Sequence, residues 1–317
     1  MQDRVVLAET KSLRRQTFGS NCCVTTRELV VRHGNVSLAG SLWRPDGDAV
    51  ATVLMHPGSG PSDRDNDVYF PPIREHLLAH EIAVCSFDKR GVGRSTGHWQ
   101  DAGIVEQADD VLACIRSLLD DDAVSKPIGL FGHSQGGWVV IEAAGRRPQV
   151  GFVVTSSGPG VTPAVQERYS HRSYLLAHGV GADELDAALA PFDELLERLR
   201  AGAAFDDVRP LLDRERLPEP YRGLDLTLFP EDDELWSFFG RIADFEPRIP
   251  LARITVPLLA TFGGDDPIVP VDDSVRAFRD AVRADLLTVA VFPGTDHRPA
   301  GASGYLETLS GFVRRSV

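Results

Sequence analysis

Positive charge is what this chain is short of: 33 Lys and Arg stand against 46 Asp and Glu over 317 residues, a net charge of −13. That balance repels a phosphate backbone, so no nucleic-acid partner is expected, and an anionic membrane surface is disfavoured for the same reason. Long apolar runs are also missing; none approaches the ~20 residues needed to span a bilayer. The first residues, MQDRVVLAETKSLRRQTF, have no apolar h-region of a secretory signal. A cytoplasmic location is the expectation. Cysteine is scarce, with four in all, and none has C-x-x-C spacing. Cys22 and Cys23 are adjacent, Cys85 lies in an apolar run and Cys114 in a helical pattern. They read as reduced structural thiols, not as a disulfide framework or a metal site. H-E-x-x-H is absent as well. His76 and His80 stand four apart in IREHLLAHE, but with no third ligand they read as polar residues on the outer side of an amphipathic helix.

What is present is the composition of a globular protein, 43% hydrophobic and 25% charged, without repeats or low-complexity tracts. Residues 27–44, RELVVRHGNVSLAGSLWR, alternate apolar and polar around His33-Gly34-Asn35 and predict a β-hairpin. Short apolar runs then predict strands over 50–55, 82–87, 127–131, 152–155, 256–262 and 286–292. Helical patterns fall between them at 72–79, 105–119, 136–144 and 272–282, with a final helix after the last strand. Strands alternating with helices imply an α/β protein with a mostly parallel, doubly wound sheet, whose ligands bind beyond the carboxyl ends of the strands. The unusual loops, HPGSGP, DKRGVG, GHSQGG and SSGPG, all follow predicted strands. Between Thr162 and Pro250 the alternation stops. The segment is helix-prone and charged, far longer than the ~4–6 residues of an ordinary connection, and reads as a helical insertion. The expected division is therefore 1–161, 162–250 and 251–317, with the middle part inserted into the fold formed by the other two.

The run LFGHSQGGWVV places Ser134 between a predicted strand and a predicted helix. A serine hydroxyl is a poor nucleophile at neutral pH and needs a base, and that base needs an acid to orient it. A tight strand-to-helix turn presents the hydroxyl clear of the sheet, and it needs small residues two before and two after, here Gly132 and Gly136. The amide of Gln135 then falls at a helix N-terminus, where a developing oxyanion is stabilised. Asp266, in GGDDPIVP, and His297, in PGTDH, each come just after a predicted strand, in the order serine, aspartate, histidine.

With those residues in that order the chain resembles an α/β-hydrolase over most of its length outside the insertion. GSGPSDRD followed by FDKRGVGRS further resembles a bacterial branch with dienelactone-hydrolase-like, acyl-CoA-thioesterase-like and serine-aminopeptidase-like members. The resemblance implies Ser134 as nucleophile, His297 as general base and then acid, and Asp266 as its orienter. Asp266 is preferred to Asp265 because Gly263, Asp266, Val269 and Pro270 fit the family's G-x-x-D-x-x-V-P pattern. The second oxyanion donor belongs to the loop after the early strand. Relatives commonly have His-Gly there, but this chain has His56-Pro57, and proline has no N–H. Ser59 is the first choice and Gly58 the alternative.

Other polar residues carry two readings each. His56 could be an alternative base but matches a histidine that props up the loop. Asp88, Arg90 and Arg64 could hold a substrate carboxylate, or fix their loops through internal ion pairs. The insertion is expected to cover the site as a cap. Tyr169, Trp236 and Phe239, together with His133 beside the nucleophile, are candidates for an apolar acyl or aryl pocket. On the plainer reading most such aromatics pack the cap onto the core, and His133 is packed or hydrogen-bonded. The chemistry implied is hydrolysis of a small-molecule carboxylic ester, with no metal or organic cofactor required. Thioester, amide, acyl transfer or ligand binding without turnover are the alternatives.

Overall fold

A computed structural model describes residues 14–18, 22–146, 149–212 and 230–317. The alternation around Gly34 folds into a hairpin: β2 (Cys22–His33) and β3 (Val36–Arg44) pair antiparallel, with His33 opposite Val36. Gly34 supplies the positive φ, 56°, that a two-residue hairpin turn requires. One strand is not announced by the sequence pattern: β1 (Arg14–Phe18), which pairs antiparallel with β2.

Strands and helices then alternate as β4 (Ala51–His56), α1 (Phe70–Ala79), β5 (Ile82–Phe87), α2 (Ile104–Leu119), β6 (Ile128–His133), α3 (Gln135–Ala144) and β7 (Val153–Ser156). In the next stretch the regular elements among the described residues are all helices, including α4 (Pro163–Ala177), α5 (Leu185–Arg200), α6 (Phe205–Val208), α7 (Asp233–Ile242) and α8 (Arg248–Leu251). Alternation resumes with β8 (Leu258–Gly263), α9 (Val271–Ala281), β9 (Leu287–Phe292) and α10 (Tyr305–Arg315). The nine strands among the described residues form one sheet, ordered β1-β2-β3-β5-β4-β6-β7-β8-β9. Every pairing from β5 to β9 is parallel, and β3 joins β5 antiparallel.

The parallel strands are short apolar runs because both of their faces are covered. On one side Leu54, Cys85, Leu130 and Phe262 pack with Ile115 of α2, Val140 of α3 and Phe278 of α9. On the other, Val53, Val84, Phe131 and Phe152 meet Phe70 and Ile73 of α1 and Phe312 of α10. Each such side chain contributes roughly 1.5–3 kcal/mol by leaving water. The helical stretch has small cores of its own, such as Leu195, Phe205, Val208 and Trp236. It is tied to the sheet's helices through Phe238 and Ile242 of α7, which join the main core; Phe238 meets Trp99 edge-on at 5.0 Å. This architecture brings the loops after β4, β5, β6, β7, β8 and β9 to the carboxyl ends of the parallel strands. No helix among the described residues is long and apolar enough to cross a membrane.

Candidate active site

Ser134 occupies the single residue between β6 and α3, at φ 53° and ψ −122°. That conformation is costly for a residue with a side chain, ~1–3 kcal/mol, and persists only where the surroundings enforce it. Here they do. Ser134 N donates to Ser156 O at 2.9 Å, and Gly137 N donates to Ser134 O at 2.7 Å. The flanking glycines have separate jobs. A Cβ on Gly132 would collide with the carbonyl of Gly136, and one on Gly136 with the carbonyls of His56 and Pro57. Gly137 lies against Gly158, in the loop after β7, where a Cβ would sit 2.5 Å from its Cα.

Asp266, on the loop after β8, is buried with 2% of its surface exposed. Its Oδ1 accepts from the amides of Ile268 (2.8 Å) and Val269 (2.9 Å), which fixes the carboxylate's orientation. Its Oδ2 lies 2.8 Å from His297 Nδ1. A carboxylate there only accepts, so Nδ1 is the donor, and in the neutral ring Nε2 is left with the lone pair. β8 and the histidine loop approach so closely that a Cβ on Gly263 would overlap the Asp296 carbonyl. The two neighbouring aspartates stand elsewhere: Asp265 is exposed, and Asp296 turns back to accept from Arg298 N at 2.9 Å.

The loop after β4 runs against the serine turn, since a Cβ on Gly58 would lie 3.5 Å from Ser134 Cβ. Gly58 N donates to Asn66 Oδ1 at 3.0 Å. The same side chain donates its Nδ2–H to His133 Nδ1 (2.9 Å), which leaves His133 Nε2–H to donate to His297 O (3.3 Å). Asn66, at φ 46° and buried, thus connects the loop beside Ser134 to the backbone of His297. His133 is also packed between rings, 4.3 Å from Tyr69 and 5.1 Å from His297. Burial and the nearby His297 push its pKa well down, so it is neutral.

The remaining polar candidates act within the fold. His56 donates Nε2–H to Gln107 Oε1 at 3.2 Å, and burial, reinforced by Lys89, depresses its pKa to about 3. It props the loop as a neutral ring. Arg64 grips Asp88 with Nε and Nη2 at 2.9 and 2.7 Å and reaches Glu28 at 3.0 Å, while Arg90 pairs with Asp110 at 2.5 Å. These ion pairs fix loops and leave neither Arg64 nor Arg90 as a free cation for a substrate carboxylate. His76 and His80 stack at 4.1 Å, and His76 Nε2 reaches Ser310 Oγ at 3.0 Å.

Among the pocket candidates, Tyr169 of α4 donates its hydroxyl to Asp266 O at 3.2 Å. Trp236 belongs to a core between α5, α6 and α7, with Nε1 donating to Ala203 O. Phe239 packs beside Phe192 and Leu196. Trp236 and His133 are both buried. A cavity of ≈ 20 Å³, room for one water, lies between α2 and the sheet. His56, Lys89, Trp99 and Gln107 are among its walls, and Ser134 is not. Asn66 and Lys89 are the neighbours of the site that sequence reasoning misses. Asn66 follows SDRD and Lys89 stands between Asp88 and Arg90 in DKRGVG, but their partners lie 8 to 67 residues away.

A serine turn, an acid and a histidine following three different parallel strands of a doubly wound sheet belong to the α/β-hydrolase architecture. Residues 53–304 match the alpha/beta hydrolase family. The chain belongs to that family and is a hydrolase. Among characterised proteins it is 26% identical over 274 residues to a monoacylglycerol lipase of Mycolicibacterium smegmatis, covering 83% of this chain and 87% of the lipase. It is 24% identical over 276 residues to esterase EstD of Thermotoga maritima, covering 84% of this chain and 59% of that protein. A Pyrococcus furiosus esterase structure superposes with a TM-score of 0.60 at 20% identity, covering 92% of this chain and 90% of the esterase. At that identity the likeness is one of fold.

Proposed function

We propose that this chain is a serine hydrolase that cleaves a carboxylic ester of a small or medium, largely apolar acyl or aryl substrate. The observation that carries the reading is the 2.8 Å hydrogen bond between Asp266 and His297, whose ring lies 5.1 Å from that of His133, the residue before a serine held in a strained turn. With Nδ1–H directed at Asp266, His297 Nε2 takes the proton of Ser134 Oγ as it attacks the ester carbonyl. The tetrahedral oxygen is received by the amides of Gln135 and Ser59. Gly58 is set aside as the second donor because its N–H is already given to Asn66. His297 then protonates the departing alkoxide, leaving an acyl-Ser134. Water, deprotonated by the same Nε2, cleaves the acyl-enzyme and releases the acid. Asp266 keeps its charge throughout and stabilises the imidazolium that forms twice per cycle.

Esters are preferred to amides because an alkoxide leaves more easily, and the lipase and esterase relatives support the same choice. Residues 162–250 act as a cap over the halves 1–161 and 251–317, and Tyr169 is the cap residue assigned to the pocket. Cys85 and Cys114, buried free thiols, suit a cytoplasmic setting. The test is a panel of aryl esters of increasing acyl length, with thioesters and aminoacyl anilides beside them. Esters are expected to give the highest kcat/KM, and Ser134→Ala to reduce turnover to background. A tenfold preference for thioester or anilide would reassign the substrate class; ester turnover surviving in Ser134→Ala would refute the mechanism.

A further inference from the structure

Lys89, on the loop after β5, is buried, with 6% of its surface exposed, and has no ion-pair partner among the described residues. A lone buried charge is costly unless its donors are used. All three are. Nζ donates to the carbonyl of Gly58, to that of Gly60 at 3.3 Å, and to Gln135 Oε1 at 2.9 Å. Gly58 and Gly60 bracket Ser59, and Gln135 follows Ser134. One ammonium therefore joins the two segments whose amides the proposed mechanism assigns to the oxyanion. Pro57 has no N–H and the Gly58 amide is spent on Asn66, so the loop offers the amide of Ser59, an exposed residue. An amide on an exposed loop needs something behind it to hold its direction.

We infer that Lys89 is a positioning residue of the oxyanion site, clamping the Ser59 and Gln135 amides into the geometry that receives the tetrahedral oxygen. The inference rests on the serine-hydrolase reading above. The charge adds to the clamp: among the described residues no carboxylate pairs with it, so it reinforces the amide dipoles where negative charge develops. The charged and titratable neighbours are accounted for. His56 from β4 is neutral, Asp88 is taken by Arg64, and Arg90 is paired with Asp110. Burial lowers the pKa of Lys89 to about 7. The full ammonium is thus present below neutrality and lost above it, when one donor and the charge disappear together.

The test compares the wild-type enzyme with Lys89→Met, and with Lys89→Gln should the methionine variant fail to fold. Steady-state kinetics with an aryl ester are measured from pH 5.5 to 9. Misplacing a reacting geometry by about 1 Å costs on the order of 100-fold, so kcat should fall roughly 10- to 100-fold with KM within about threefold. In addition, wild-type kcat should decline above pH 7 toward the variant's value, while the variant lacks that decline. A folded variant with wild-type kcat, or one that keeps the same alkaline decline, overturns the inference. Failure of the wild type itself to hydrolyse esters would refute the serine-hydrolase reading instead, so the two outcomes are distinguishable.

Discussion

Asp266→Asn separates a catalytic carboxylate from a merely buried one. An asparagine side chain can be placed in two ways. With Oδ1 toward Ile268 N and Val269 N it keeps two hydrogen bonds, now made at 2.8 and 2.9 Å. Flipped, it would set its own N–H groups against both amides, forfeiting about 1 kcal/mol net for each bond and adding a donor–donor clash. The first placement wins, and it turns an NH2 group toward His297 Nδ1. The imidazole must then accept at Nδ1 and carry its proton on Nε2, the tautomer that cannot deprotonate Ser134. The equivalent exchange in a serine protease triad costs roughly 10⁴ in kcat, about 5 kcal/mol of barrier. The loss should appear in kcat for an aryl ester, with KM nearly unchanged and the thermal transition within a few degrees of wild type. Asp265→Asn, at an exposed carboxylate, should change kcat by less than about twofold, within ordinary surface effects. If Asp265→Asn is the damaging change and Asp266→Asn is not, the assignment of the acid is wrong.

Two further outcomes follow from the surrounding network. Asn66→Ala removes the acceptor for Gly58 N and the donor to His133 at once; an unpaired buried group costs ~1–3 kcal/mol. Urea denaturation should show that loss, with a fall in kcat because the loop beside Ser134 loses its tie to His297. Arg64→Met leaves Asp88 buried without its guanidinium, at about 3 kcal/mol, the low end for a broken buried pair, since the amides of Arg64 and Arg94 still donate to it. Burial alone would raise the Asp88 pKa, but Arg64 and these amides outweigh it and hold the carboxyl below its usual range. Its folded pKa being depressed, the stability it contributes is present above the unfolded pKa and is lost as pH falls through the folded one. Acid unfolding monitored by circular dichroism should therefore begin at higher pH in Arg64→Met than in wild type; an unchanged midpoint would contradict this role for the pair.

The parts legible in the sequence are those fixed by local rules. Apolar runs of strand length, turn glycines and residues placed one to a few positions past a strand put Ser134, Asp266 and His297 at one end of the sheet before any contact is known. The hairpin was readable from Gly34 and from strict alternation. The β1 strand was not, because its five residues, RRQTF, carry too few apolar positions to set a period. The facing of the helical insertion was illegible for a different reason. Trp236 and Tyr169 are both aromatic residues in helices, yet one fills a core between α5, α6 and α7 and the other reaches Asp266 O. Helical period gives a residue's angle about its own axis, not which neighbouring helix occupies that angle. Asn66 and Lys89 show the same limit: each is defined by carbonyls and amides that only the folded chain brings within reach.

The central claim is that Ser134 is an activated nucleophile. Incubation with a fluorophosphonate, followed by peptide mass spectrometry, tests it most directly, with Ser134→Ala as the control. The account predicts one covalent adduct on the peptide containing Ser134, formed by the wild type and absent from Ser134→Ala. An unlabelled Ser134 in folded protein, or an adduct that persists in the alanine variant, would contradict it.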